Sequence, residues 1–260
     1  MSIWIAVLLG LVQGLCEFLP VSSSGHLVLL QTICGVEGDV LLFDTLLHVG
    51  TLIAVCAVFY KELWEMLKKP FQKKVYLLLV ATVVTSAIAL LFEEQIEALF
   101  AGQLLGVGFL LTALILMVSE KMTDGKRSIT DMNYAQAAGV GLVQAVAILP
   151  GVSRSGSTIA GSRFFGLNKG AAAEFSFILS IPAILGSCVL QAKDLLTEGT
   201  GGIGVLPVLV GMTIAAISGY FAIRWMLKLI KEKSLIGFAV YVGILGVLVL
   251  LDQYVTHIFF

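Results

Sequence analysis

Two stretches decide how this chain is read. The first is Gly10-Leu11-Val12-Gln13-Gly14-Leu15-Cys16-Glu17-Phe18-Leu19-Pro20-Val21-Ser22-Ser23-Ser24-Gly25-His26. The second is Gly141-Leu142-Val143-Gln144, followed by Pro150-Gly151-Val152-Ser153-Arg154-Ser155-Gly156-Ser157-Thr158. Gly10–Gln13 and Gly141–Gln144 stand 131 positions apart, as do Val21–Gly25 and Val152–Gly156. Each copy closes a hydrophobic run with a proline, Pro20 or Pro150. The chain therefore reads as two related halves, about 1–125 and 130–260, forming a single membrane domain over 1–260. Serine, glycine and arginine are costly in hydrocarbon unless they line a cavity or serve a site, so the repeated phrase marks where function is expected.

Working outward, the composition sets the class. Hydrophobic residues make up 58% and charged residues 13%, with mean hydropathy +1.02. A soluble domain carries about 25% charged residues, so the expectation is an all-α polytopic membrane protein. A net charge of −1 with few basic residues argues against nucleic acid as a partner. The four cysteines form no CxxC pair and read as buried thiols.

A spanning helix needs about 17–25 apolar residues. Six runs meet that need: 40–60, 75–92, 103–119, 171–191, 206–227 and 235–256. Runs 3–34 and 134–165 are each broken midway by the Pro/Ser/Gly phrase and read as re-entrant helix-loop-helix pairs. Such breaks are tolerated at membrane depth only against protein or a water-filled cavity, so the two are expected to face each other. If 61–74 lies in the cytoplasm, alternation places 120–131, 163–169 and 224–233 there too, and these four segments hold 14 of the 16 Lys and Arg residues. The opposite segments, 34–39, 93–102 and 193–205, hold Lys193 alone. Arg154 remains, inside the membrane region. Each half then has one re-entrant pair and three spans, an odd number of crossings that makes the repeat inverted.

Glu17 and Arg154 cost at least about 2.5–3.5 kcal/mol each at mid-membrane and are expected to neutralise one another. Both serine clusters precede a helix, read as 25–34 and 156–165. Free N–H groups there, beside hydroxyls and a guanidinium, suit an anion rich in oxygen such as a phosphate. The candidate contacts are Ser22, Ser24, Gly25, Ser153, Ser155, Gly156, Ser157 and Thr158; capping of broken helices is the plainer use of the same serines. Glu17 and His26 flank Ser23 as an orienting carboxylate, or a metal ligand, and a base; for His26 a polar helix-start residue bonded to backbone is the plainer use. Gln13, Asp44, His48, Gln144 and Glu174 stand behind them as supporting polar residues. For Asp44 and His48 pairing with a neighbouring helix is the alternative, and Glu174 also suits a helix start.

The two long motifs resemble the signatures of bacterial undecaprenyl-diphosphatases, the bacitracin-resistance membrane phosphatases. Phe43-Asp44 with His48-Val49-Gly50-Thr51, and Glu174-Phe175-Ser176-Phe177 with Ser180-Ile181-Pro182, resemble flanking patterns of that family. The resemblance implies six spans plus two re-entrant pairs, usually a homodimer, in the bacterial cytoplasmic membrane with the site opening outward. It implies removal of the terminal phosphate of undecaprenyl diphosphate, which recycles the carrier lipid of cell-wall synthesis. It assigns catalytic roles to Glu17, Ser23, His26 and Arg154, and a divalent cation, Mg2+ or Ca2+, for which Glu17 and Gln13 are the candidate ligands. Many members carry Glu where this chain has Gln13, so a second carboxylate is missing here. The rival class is an inverted-repeat transporter or flippase for a phosphate-bearing lipid or small anion.

Overall fold

The computed structural model describes residues 1–36, 40–92, 94–95, 104–198 and 204–260, with backbone alone at 41 and 191–198. The described residues are helical, with one isolated β-bridge between Arg127 and Leu167. In chain order the helices are α1 (Ile3–Phe18), α2 (Ser23–Ile33), α3 (Leu41–Val58), α4 (Tyr60–Lys68), α5 (Lys73–Leu91), α6 (Leu105–Lys121), α7 (Tyr134–Val146), α8 (Arg154–Phe164), α9 (Lys169–Glu198), α10 (Val205–Glu232) and α11 (Ile236–Leu251). Four described helices are long and apolar enough to cross a membrane: 73–91, 169–190, 205–232 and 236–256. Helix α3 becomes a fifth when joined to α4, which bends away from it by 77°. Each of the six apolar runs holds one of α3, α5, α6, α9, α10 and α11, and the architecture is that of a polytopic membrane protein. Of the predicted outer segments 34–39, 93–102 and 193–205, residues 37–39, 93, 96–102 and 199–203 lie outside the described residues.

The two interrupted runs are helix-turn-helix pairs, α1/α2 and α7/α8. The turns need unusual backbone: Ser22 has φ 71° and Gly151 φ 81°. A positive φ is costly for any residue with a Cβ, so the position held by Ser22 is dictated by its surroundings. Helices α2 and α8 begin earlier than expected, at Ser23 and Arg154, because Ser22 and Ser153 are their caps. The first-turn residues thus include Ser23, Ser24, Arg154 and Ser155, which the sequence had placed ahead of the helices.

Close helix approach rests on small residues, as expected where lipid removes the hydrophobic incentive to pack. On α1, a Cβ at Gly10 would strike the carbonyl of Gly211 on α10. On α7, a Cβ at Gly141 would strike the carbonyl of Ala81 on α5. Both crossings are fastened by a hydroxyl on the glycine carbonyl: Ser218 Oγ donates to Gly10 O at 3.5 Å, and Thr85 Oγ1 to Gly141 O at 2.9 Å. The aromatic rings of Phe18, Phe59 and Phe177 pack together beneath the first turn, Phe18 and Phe177 edge to face at 5.6 Å.

Polar links gather the basic segments at one end of the bundle. Lys73 Nζ donates to Thr130 O, Lys74 Nζ pairs with Glu174 at 2.5 Å, and Asn168 N donates to Arg127 O. Buried Arg163 bonds Ser119 Oγ, Glu120 and Met122 O. The four cysteines are free and only partly buried, less enclosed than the sequence suggested.

Candidate active site

Glu17 is the centre of the site. It lies in the last turn of α1, is 6% exposed, and collects four partners. Its Oε2 accepts from Gln13 Nε2 at 3.0 Å, one helical turn back, and from Ser23 Oγ at 2.5 Å across the break. His48 Nε2 on α3 faces the same oxygen at 3.6 Å. Its Oε1 accepts from Arg154 Nη2 at 2.5 Å. The expected neutralisation is therefore made directly between the two broken hairpins.

The hairpins also touch through their backbone. Ser155 Oγ donates to Leu19 O at 2.9 Å, and Gly25 sits so near Gly151 that a Cβ would lie 3.1 Å from its Cα. The second turn is anchored from α6, where Thr112 Oγ1 donates to Gly151 O at 2.9 Å and accepts from Ser153 N at 2.8 Å. Thr112 is the single hydroxyl within 103–118, which is the signal that a sequence reading had available for it.

The serine clusters divide into caps and open groups. Ser22 Oγ accepts from Gly25 N at 3.3 Å and Ser153 Oγ from Gly156 N at 3.1 Å, so these four residues close their own helix starts. Ser155 spends its hydroxyl on Leu19, and Thr158 on Arg154 O and Ser176. What stays open is narrower than the predicted set. Of the first-turn N–H groups, those of Gly25 and Gly156 are taken by the caps, and those of Ser23, Ser24, Arg154 and Ser155 have no acceptor within their own helices. Arg154 Nη1 and Ser157 Oγ are buried with no protein partner. Ser24 is half-buried in the first turn of α2.

Three expectations are corrected. His26 is not paired with Glu17: its Nδ1 donates to Ser22 O at 2.7 Å, and its Nε2 meets Tyr241 Oη at 2.8 Å. A carbonyl accepts only, so the proton sits on Nδ1 and Nε2 accepts from the tyrosine. Its ring is held between Phe109, edge on at 5.3 Å, and Tyr241, stacked at 5.7 Å. The imidazole beside the carboxylate belongs to His48. Gln144, the repeat partner of Gln13, turns to Thr85 Oγ1 at 3.2 Å because its half packs α7 on α5. Glu174 is engaged by Lys74 at the basic end of the bundle. Asp44 accepts from Gln31 Nε2 at 2.7 Å and ties α2 to α3, while its backbone carbonyl accepts from His48 Nδ1 at 2.7 Å. Tyr241 was missed; a tyrosine in the first half of the apolar run 235–256 was the available hint.

A bound cation at Glu17 is poorly served by these residues. Hard cations take several oxygen ligands, usually with more than one carboxylate or with substrate phosphates. Here one carboxylate has both oxygens engaged by donors, two of them on Arg154 and His48. Gln13 turns its NH2 to Glu17 and its Oε1 lies buried without a hydrogen-bond partner, so the amide offers a cation at most one neutral oxygen beside the single carboxylate. Among the described residues no group of three or more His, Cys, Asp or Glu forms a metal cage.

An all-helical membrane protein whose two broken hairpins converge on a buried Glu–Arg pair beside open helix starts belongs with membrane proteins that handle phosphate-like anions. The model of one family, Bacitracin resistance protein BacA, matches residues 6–248, and the chain belongs to that family. It is 46% identical over 251 residues to a Carboxydothermus hydrogenoformans protein named undecaprenyl-diphosphatase, covering 95% of this chain and 96% of that one. A Methanobrevibacter smithii protein of the same name is 42% identical over 281 residues, with all of both chains covered. One from Alkaliphilus metalliredigens is 42% identical over 271 residues, covering 96% and 98%.

Proposed function

We propose that this chain is an undecaprenyl-diphosphate phosphatase, cleaving the lipid diphosphate to undecaprenyl phosphate and inorganic phosphate. The observation that carries the reading is an unpartnered buried donor, Arg154 Nη1, on the guanidinium that bonds Glu17 beside Ser23, with Ser157 Oγ also buried and unpartnered one turn along α8. Donors held ready for charge that develops on a transferring phosphoryl group are what this reaction requires. Ser23 Oγ attacks the terminal phosphorus and passes its proton to Glu17 Oε2. The bond from that phosphorus to the bridging oxygen breaks, and undecaprenyl phosphate leaves. Water then cleaves the phosphoserine. His26, fixed between Ser22 and Tyr241, holds the turn that presents Ser23.

The lipid tail has a place to lie. A groove of about 520 Å3, almost wholly apolar, runs between Leu15, Leu19 and Val21 of the first hairpin and Leu229, Gly237 and Phe238 of α10 and α11. Tyr241 belongs to both the groove wall and the His26 hydrogen bond, so a tail in the groove leads towards the first turn. Glu17 itself lies beyond it. The substrate needs only to slide from the bilayer and present its head group.

The same reading gives six spans and two re-entrant pairs, arranged as inverted repeats 1–125 and 130–260. Its support is the reciprocal pair of crossings, α1 on α10 and α7 on α5, each tied through its glycine carbonyl. The gathering of the basic segments at one end supports a cytoplasmic face there, with the site opening to the other side of a bacterial cytoplasmic membrane. A homodimer is proposed from the family resemblance.

The test is phosphate release from undecaprenyl diphosphate by purified protein in detergent. Release lost in Ser23→Ala and Arg154→Ala variants that remain folded supports the enzyme. Release unchanged by both overturns the assignment, and transport of the intact lipid diphosphate without release places the chain with carriers. Rapid-quench trapping is expected to yield an acid-stable phosphoserine; an acid-labile phosphoenzyme would move the attack to His26.

A further inference from the structure

Glu17 is held in a way that leaves a cation no work to do. In a phosphatase site a divalent ion commonly fixes a carboxylate, offsets its charge and faces the phosphate. Here each of those tasks is met by the chain. Gln13 Nε2 and Ser23 Oγ occupy one oxygen, Arg154 the other, and His48 Nε2 stands at 3.6 Å from the first. The orientation of His48 is fixed separately, since its Nδ1 donates to the carbonyl of Asp44, 2.7 Å away on its own helix. Thr51 Oγ1 bonds the carbonyl of His48 itself, at 2.9 Å. Gln13 is fully buried and lies one turn before Glu17 on the same face of α1, so the amide cannot swing out to make room.

The charged neighbours are few. Arg154 and Glu17 cancel. Helix α10 passes α3 near Met212, against which Gly50 packs, and its first charged side chain, Arg224, comes about three turns later. On α9, Glu174 is engaged by Lys74. A dication placed at Glu17 would meet the Arg154 guanidinium with one carboxylate between them.

We infer that Gln13 and His48 are positioning residues that fix the Glu17 carboxylate in place of a divalent cation, and that this chain cleaves its diphosphate with no metal ion bound at Glu17. The inference rests on the phosphatase reading for its consequence, and its first test does not need activity. The purified full-length chain, stripped with chelator, is titrated with Mn2+ in the absence of substrate, and bound ion is followed by electron paramagnetic resonance. Wild type and Glu17→Gln are expected to be indistinguishable, with no stoichiometric site. Gln13→Glu, which restores a second carboxylate one turn from the first, is expected to bind about one ion per chain. A wild-type site that Glu17→Gln removes would overturn the inference, and so would a Gln13→Glu variant that binds no ion.

Kinetics then test the positioning role. Misplacing a reacting group by about 1 Å costs on the order of 100-fold in rate, so His48→Ala is expected to lower kcat by about that factor with KM little changed. His48→Gln, which keeps a donor on the same side, is expected to recover most of it. Equal loss in both variants, or loss carried by KM, would overturn the role given to His48. A wild-type chain that releases no phosphate under any condition would refute the phosphatase reading instead, leaving the binding result to stand by itself.

Discussion

Arg154 Nη2 lies 2.5 Å from Glu17 Oε1, joining residues 137 positions apart in the chain and closing one broken hairpin on the other. Their side chains are 17% and 5% exposed, so neither charge is well hydrated. Removing one partner of a buried pair costs about 3–5 kcal/mol because the other is left uncompensated. Arg154→Ala is therefore expected to destabilise the fold by about 3 kcal/mol as well as abolish phosphate release. In Arg154→Ala/Glu17→Gln most of that stability is expected to return while activity does not. Thermal unfolding in detergent beside a phosphate-release assay checks both, and a double variant no more stable than the single one would contradict the pairing argument.

The capping serines separate binding from attack. Ser153 Oγ accepts from Gly156 N, and loss of such a cap typically costs about 1 kcal/mol. Helix α8 then frays at the end proposed to face the phosphate oxygens, while Ser23 and Glu17 keep their hydrogen bond. Ser153→Ala is expected to raise KM several-fold with a smaller change in kcat. Steady-state kinetics on undecaprenyl diphosphate decide it; a fall in kcat at constant KM would mean that Ser153 serves the attack itself.

Tyr241 tests what His26 does. Loss of one neutral hydrogen bond is worth about 1 kcal/mol, which is less than tenfold in rate. If His26 only braces the turn, Tyr241→Phe should slow turnover within that range and leave any trapped phosphoenzyme acid-stable. A loss of a thousandfold or more would show that the tyrosine and histidine carry a proton in the reaction.

Much of this arrangement was legible in the sequence because its cause is local. Pro20, Pro150 and the Ser/Gly phrases interrupt apolar runs, and a repeated interruption at one offset marks the two hairpins and their convergence. Glu17 and Arg154 could be paired on cost alone, since hydrocarbon leaves a lone charge no cheap alternative. The choice between His26 and His48 was not legible. His26 stands three positions from Ser23, whereas His48 lies 31 positions from Glu17 on another helix, and only the packing and rotation of α2 and α3 decide which ring meets the carboxylate. Gln144 misled for a related reason: repeated sequence preserves the helix and its glycine crossing, yet Gln13 meets a glutamate on its own helix whereas Gln144 meets Thr85 on another. Tyr241 and Thr112 act across 215 and 39 positions respectively, and a hydroxyl in an apolar span announces a partner without naming it.

Two glycines distinguish packing from substrate access. A Cβ at Gly10 would enter the space of the Gly211 carbonyl, a backbone atom that cannot rotate away, so Gly10→Val is expected to prevent α1 from docking on α10 and to abolish folding. At Gly237 no atom lies within 4 Å of an added Cβ, although the residue lines the apolar groove. Gly237→Phe should therefore fold normally and fill part of that groove. If the groove holds the prenyl chain, this variant raises KM for undecaprenyl diphosphate while a short farnesyl diphosphate, which occupies less of it, is affected less. Equal effects on both substrates, in a variant with unchanged thermal unfolding, would place the tail elsewhere along the helices and leave the groove to bilayer lipid.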